Sequence, residues 1–154
     1  MGRATNSAVQ ASANKPEPYA GEIMIRSMLK PSDFEHACAV IVTGDGANFC
    51  GHTLLHTKHD WYFHVAGRYD YPKFMHEDGY KRYLKENGKR EVRCWIVPIR
   101  EPAAAHRKLE ELLAKQWFWG GVVHNCVSFV EEVVRAGGSR AGMMINCPRA
   151  EPFA

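Results

Sequence analysis

Two runs rich in β-branched, aliphatic and aromatic side chains, residues 52–56 and 61–65, flank the polar group Thr57-Lys58-His59-Asp60. That content on both sides of a tight turn predicts two antiparallel strands joined as a hairpin. Successive side chains of a strand then stand on opposite faces, so parity along the chain decides which residues can meet. With the loop at residues 57–59, His52 faces His64 directly, and opposed residues on one face are close enough to hydrogen-bond. A one-residue slip would undo the pairing. Together with His56 and His59, four histidines fall within residues 52–64.

A second feature follows a Gly120-Gly121 turn: Val122-Val123-His124-Asn125-Cys126-Val127-Ser128-Phe129-Val130 leads into an amphipathic stretch that stops at Ala136-Gly137-Gly138. The pattern predicts a helix with Cys126 at its start and a glycine stop. Backbone N–H groups and the helix dipole favour a thiolate there, and the thiolate is the nucleophilic form. A cysteine nucleophile needs a base and a group to orient that base, and the histidine hairpin offers both in His52 and His64.

Around these features the chain reads as an alternation of strands and helices. Residues 37–43, Ala-Cys-Ala-Val-Ile-Val-Thr, form an apolar run suited to a buried strand that ends at Gly44-Asp45-Gly46. Residues 67–75 read as an ordered aromatic loop, 77–87 as a helix ended by Asn87-Gly88, and 91–99 as a strand at a sheet edge because of Pro98. Residues 102–118 have helical spacing with proline in the first turn, and 139–154 are loop-like. The predicted layout is α+β, a small antiparallel sheet packed against helices. Residues 1–20, rich in Ala, Ser, Asn and Pro, read as a flexible leader, and 21–154 as a single catalytic domain.

Composition narrows the class. The chain has 45% hydrophobic and 24% charged residues, as a soluble globular protein does. No apolar run is long enough to span a bilayer, so no stable membrane insertion is expected. The N-terminus lacks the apolar core of a secretory signal, which predicts synthesis in the cytoplasm and export only by a dedicated route. The net charge is +3 with Lys and Arg scattered along the chain, which does not make the basic patch of a nucleic-acid binder. Five cysteines without a Cys-x-x-Cys pair predict a free thiol and no disulfide framework.

Histidine-bearing strands ahead of Asn125-Cys126-Val127-Ser128-Phe129-Val130, with Gly51-His52-Thr53-Leu54-Leu55 opening one strand and His64 in the next, resemble the circularly permuted branch of the NlpC/P60 papain-like superfamily. That branch includes lecithin:retinol acyltransferase-like proteins, and the likeness covers residues 39–138. In ordinary papain-like enzymes the cysteine precedes the histidine. No histidine follows Cys126, so only the permuted order can use it. The resemblance implies a papain-like fold with Cys126 as nucleophile, His52 as general base and His64 as the orienting residue, Asp60 being the reserve for that third role. It implies a cysteine hydrolase cleaving a peptide amide through a thioester, without metal or cofactor. Small bacterial members are often peptidoglycan amidases or endopeptidases, and some are type VI secretion effectors delivered to a target cell's periplasm. A wall peptide and a cognate immunity protein are then the expected partners. Tyr69, Tyr71, Trp119 and His124 are the expected substrate-lining residues. The sequence departs from acyltransferase relatives at Ser128, where they carry histidine.

Alternatives share these residues. The same fold can transfer acyl groups to or from lipid. Cys50, His52, His56, His59 and His64 are zinc-ligand types, although no Cys-x-x-Cys or His-Glu-x-x-His motif arranges them. Cys50 could be the nucleophile if it opened a helix. A non-catalytic interaction module would bury Cys126 as an inert core thiol.

Overall fold

The computed structural model describes residues 29–65, 71–115 and 125–154. The leader predicted at 1–20, together with Tyr69, Trp119 and His124, lies outside these residues. Five strands form one antiparallel sheet: β1 (Ala37–Val42), β2 (His52–Thr57), β3 (Trp61–His64), β4 (Lys73–Met75) and β5 (Glu91–Val97), in the order β4-β3-β2-β1-β5. Three helices accompany it, α1 (Glu77–Glu86), α2 (Pro102–Leu113) and α3 (Cys126–Ala136). The architecture is α+β.

All six residues of β1 are buried, because both parities of Ala-Cys-Ala-Val-Ile-Val are small or aliphatic. Ala37, Ala39 and Ile41 join Leu55, Phe63, Leu109, Phe129 and Val133 in the larger core, beneath α2 and α3. Cys38, Val40 and Val42 point the other way, to a smaller core with Leu54, Tyr62, Tyr80 and Tyr83, beneath α1. The sheet is therefore covered on both faces, unequally.

The hairpin forms with a different register from the one expected. Its loop is Lys58-His59-Asp60, and His59 (φ 65°) and Asp60 (φ 62°) both adopt the left-handed backbone that turns the chain. Thr57 pairs with Trp61 and Leu55 with Phe63. The shift from the expected register is two residues, an even number, so the faces are unchanged. His52 and His64 remain on one face as diagonal neighbours instead of direct opposites. β4 was expected to be loop; three residues after Pro72 carry too short a pattern to read as a strand.

The cysteines correct the expectation of no disulfide framework. Cys38 is bonded to Cys94, and Cys50 to Cys147; Cys126 alone is free. Both bonds join residues far apart in sequence, 56 and 97 positions, so local spacing could not announce them. The first links β1 to its neighbour β5, where Cys94 pairs with Val40, two residues from Cys38 on the same face. The second ties the residue ahead of Gly51-His52 to the C-terminal segment. Among the described residues no helix is long and apolar enough to cross a membrane.

Removing a bond that closes a loop of this size from a small domain costs ~2–5 kcal/mol. Alkylation of the denatured, unreduced protein should label one cysteine, Cys126, and reductant should lower the melting temperature. Three or more labelled thiols, or an unchanged melt, would contradict the pairing.

Candidate functional site

Cys126 is the first residue of α3, as expected. Asn125 caps the helix in extended conformation (φ −140°, ψ −168°), its side chain accepting the Ser128 N–H at 3.0 Å while Ser128 Oγ accepts the Asn125 N–H at 2.6 Å. This reciprocal cap fixes where the helix begins and so where the sulfur sits. Ser128, the departure from acyltransferase relatives, is used here structurally.

The backbone N–H groups of Thr53 and Val127, beside the sulfur, favour the thiolate. The Thr53 hydroxyl, buried and without a well-formed hydrogen bond, adds to this by its proximity. Burial outweighs them. Cys126 is 8% exposed, and desolvation pushes the thiol above its ordinary value. The expectation that the helix start would yield a ready thiolate is corrected in its net sign: backbone amides favour the thiolate, but burial outweighs them.

The histidine pair is present on the other side of the sheet. His52 Nε2 and His64 Nδ1 lie 2.9 Å apart, with ring planes at 74°. His64 is 1% exposed and packs its ring 5.2 Å from that of Tyr83 on α1. His52 heads β2 opposite Val42, a member of the smaller core, and lines a cavity with Gly44, Asp45, Asn48, Tyr83 and Lys89. Cys126 belongs to the larger core. The predicted Cys126–His52 hydrogen bond is thus absent, and the reason is parity. Thr53 faces the sulfur, and its neighbour His52 must face away. Among the described residues no imidazole or carboxylate hydrogen-bonds Cys126.

Burial lowers the His52 pKa from 6.5 to about 4, with Lys89 lowering it further and Asp45 opposing. His64 is lowered in the same direction, chiefly by burial. Both rings are neutral at pH 7. His64 Nε2 is buried without a partner. An orphaned N–H is costlier than an orphaned lone pair, so His64 carries its proton on Nδ1 and donates it to His52 Nε2. His52 then holds its own proton on Nδ1.

The remaining candidates disperse. Asp60 pairs with His56 at 3.2 Å, not with His52 or His64, so it does not serve as the reserve third residue. His59 pairs with Asp33 at 2.6 Å. Cys50 is oxidised and cannot be the nucleophile. No three His, Cys, Asp or Glu side chains converge as a metal would require among the described residues. Tyr71 is half-buried just before β4. Sequence reasoning read Gly44-Asp45-Gly46 only as the stop of β1 and missed that this turn and Lys89 border His52; the signal was the glycine-punctuated turn immediately ahead of it. Gly51 (φ 79°) is part of it, since a Cβ there would collide with the Val42 carbonyl oxygen.

No family model, curated protein or solved structure matches the chain.

The histidine pair makes stability depend on pH. For a histidine whose folded pKa lies below its unfolded one, stability is complete above the unfolded value and falls as the unfolded chain takes up the proton first. The urea midpoint should therefore drop as pH falls from about 6.5 to about 4. His52→Gln should flatten that slope, and equal slopes in parent and variant would remove the buried-neutral assignment.

Proposed function

We propose that the chain is a cysteine hydrolase acting on an amide of a peptide, with bacterial peptidoglycan as the substrate class. The observation that carries the reading is the setting of Cys126: the one unbonded cysteine opens a capped helix, with the backbone N–H groups of Thr53 and Val127 close enough to its sulfur to favour the thiolate. Such N–H groups can also stabilise the oxyanion that forms when a thiolate attacks a carbonyl carbon. Attack gives a tetrahedral adduct, the amine leaves with a proton, and water hydrolyses the thioester. The resemblance of the histidine strands and the Asn125-Cys126 helix to permuted NlpC/P60 proteins supports the same chemistry, with His52 as base once it leaves its contact with His64, which frees its Nε2 lone pair.

This reading requires the His52 ring to reach the Cys126 face. His52 is the first residue of β2 and follows Gly51, so a bulge at that strand end would reverse its side without disturbing Leu54 or Leu55. The two disulfides support action in an oxidising compartment, as a periplasm is. Delivery there by a type VI secretion route, with an immunity protein protecting the producer, belongs to the same proposal.

The placement of Cys126 and His52 on opposite faces favours a second reading, a non-catalytic interaction module in which Cys126 is core. Incubation with purified peptidoglycan and mass spectrometry of the fragments separates the two, beside an acyl-lipid assay for lipid chemistry. On the first reading new amine and carboxyl ends appear. Cys126→Ala and His52→Ala should each then lose at least about a thousandfold in turnover, and the double variant little more. His64→Ala should leave a measurable remnant. An intact wall together with a Cys126 inert to thiol-directed probes near neutral pH would establish the module instead.

A further inference from the structure

The cavity beside His52, about 290 Å³, shares Gly44 and Asn48 with an open hollow of about 480 Å³ on the outer side of the 43–49 turn. Arg90 and Arg149 line this second hollow, and Phe49 forms part of its wall. Neither guanidinium is in an ion pair with a carboxylate among the described residues. Lys89, at the inner end, donates to the Thr43 carbonyl at 3.0 Å and pairs with Asp45, whose carboxylate is 84% exposed. Two arginines thus line the outer hollow and Lys89 the inner cavity, with Gly44 and Asn48 shared between them.

The cleft is built, not incidental. Arg149 is fixed at its backbone, where its N–H donates to the Cys50 carbonyl at 3.0 Å, two residues after the Cys50–Cys147 bond. Its stem passes over Gly51, and its guanidinium lies 5.1 Å from the centre of the Phe49 ring. Phe49 is 62% exposed, a large apolar ring left in solvent at the cleft wall. A guanidinium fork held in the way of Arg149 can match a carboxylate in two parallel hydrogen bonds, and an exposed ring offers a surface for an apolar side chain. Asn48 adds a polar group of the kind that holds peptide amides.

We infer that this cleft binds a carboxylate-bearing peptide, with Arg90 and Arg149 taking the carboxylate and Phe49 an adjoining side chain. The inference stands without a nucleophilic Cys126, since no residue of the cleft touches it. Phosphate could use the same cations, so the test has an arm for it.

Calorimetric titration of the oxidised full-length protein should use three probes: a tetrapeptide with one side-chain and one C-terminal carboxylate, its fully amidated counterpart, and inorganic phosphate. The acidic peptide should bind, more weakly as salt is raised. Its affinity should fall at least tenfold in Arg149→Gln and in Arg90→Gln, each checked for native near-ultraviolet circular dichroism, and stay unchanged in Arg82→Gln on α1. The inference is overturned by equal binding of the amidated peptide, by arginine variants that bind like the parent, or by no binding. Phosphate binding with the same arginine dependence, while the acidic peptide fails, would overturn the peptide assignment in favour of an oxyanion site. Because peptidoglycan cleavage is read separately, loss of one result leaves the other intact.

Discussion

The structure depends on a central strand buried on both faces. β1 places three apolar side chains under α2 and α3 and three under α1, and its neighbours inherit the same division. A strand of this kind cannot slip by one residue without exchanging its two sets of contacts, so parity is fixed for the whole sheet. Everything of chemical interest in the chain is sorted by that rule.

The sorting explains both what converges and what does not. His52 and His64 share a face because twelve residues and a turn separate them, and the hairpin register preserves parity. Thr53 and Cys126 meet on the opposite face, beneath the helices. One peptide bond separates the Thr53 environment from that of His52, yet the sheet stands between their side chains. Two separate buried environments result, one around a thiol and one around neutral imidazoles with Lys89 near by.

Much of the fold was legible in the sequence. β1, the hairpin, α1, β5 and the start of α3 announce themselves through apolar periodicity, Asn87-Gly88 and Asn125-Cys126, each a local signal. The hairpin register was missed by two residues because loop position depends on left-handed backbone at His59 and Asp60, which composition hints at but does not fix. The disulfides were missed because pairing is decided by which strands become neighbours. Cys126 was correctly placed at a helix start, while its protonation was misjudged, since burial belongs to tertiary packing. The histidine contact was legible; its side of the sheet relative to Cys126 was not, because two elements seventy residues apart carry no shared phase.

The two disulfides interleave: in chain order the cysteines run 38, 50, 94, 147, and each bond spans one end of the other. A chain oxidised as it emerges from a pore, N-terminus first, would bring Cys38 and Cys50 together before either proper partner had appeared. The native pairing instead needs β1 and β5 already side by side and the C-terminal segment already laid against residue 50. The fold, and not the order in which the cysteines emerge, is what sets each sulfur beside its correct partner in this topology.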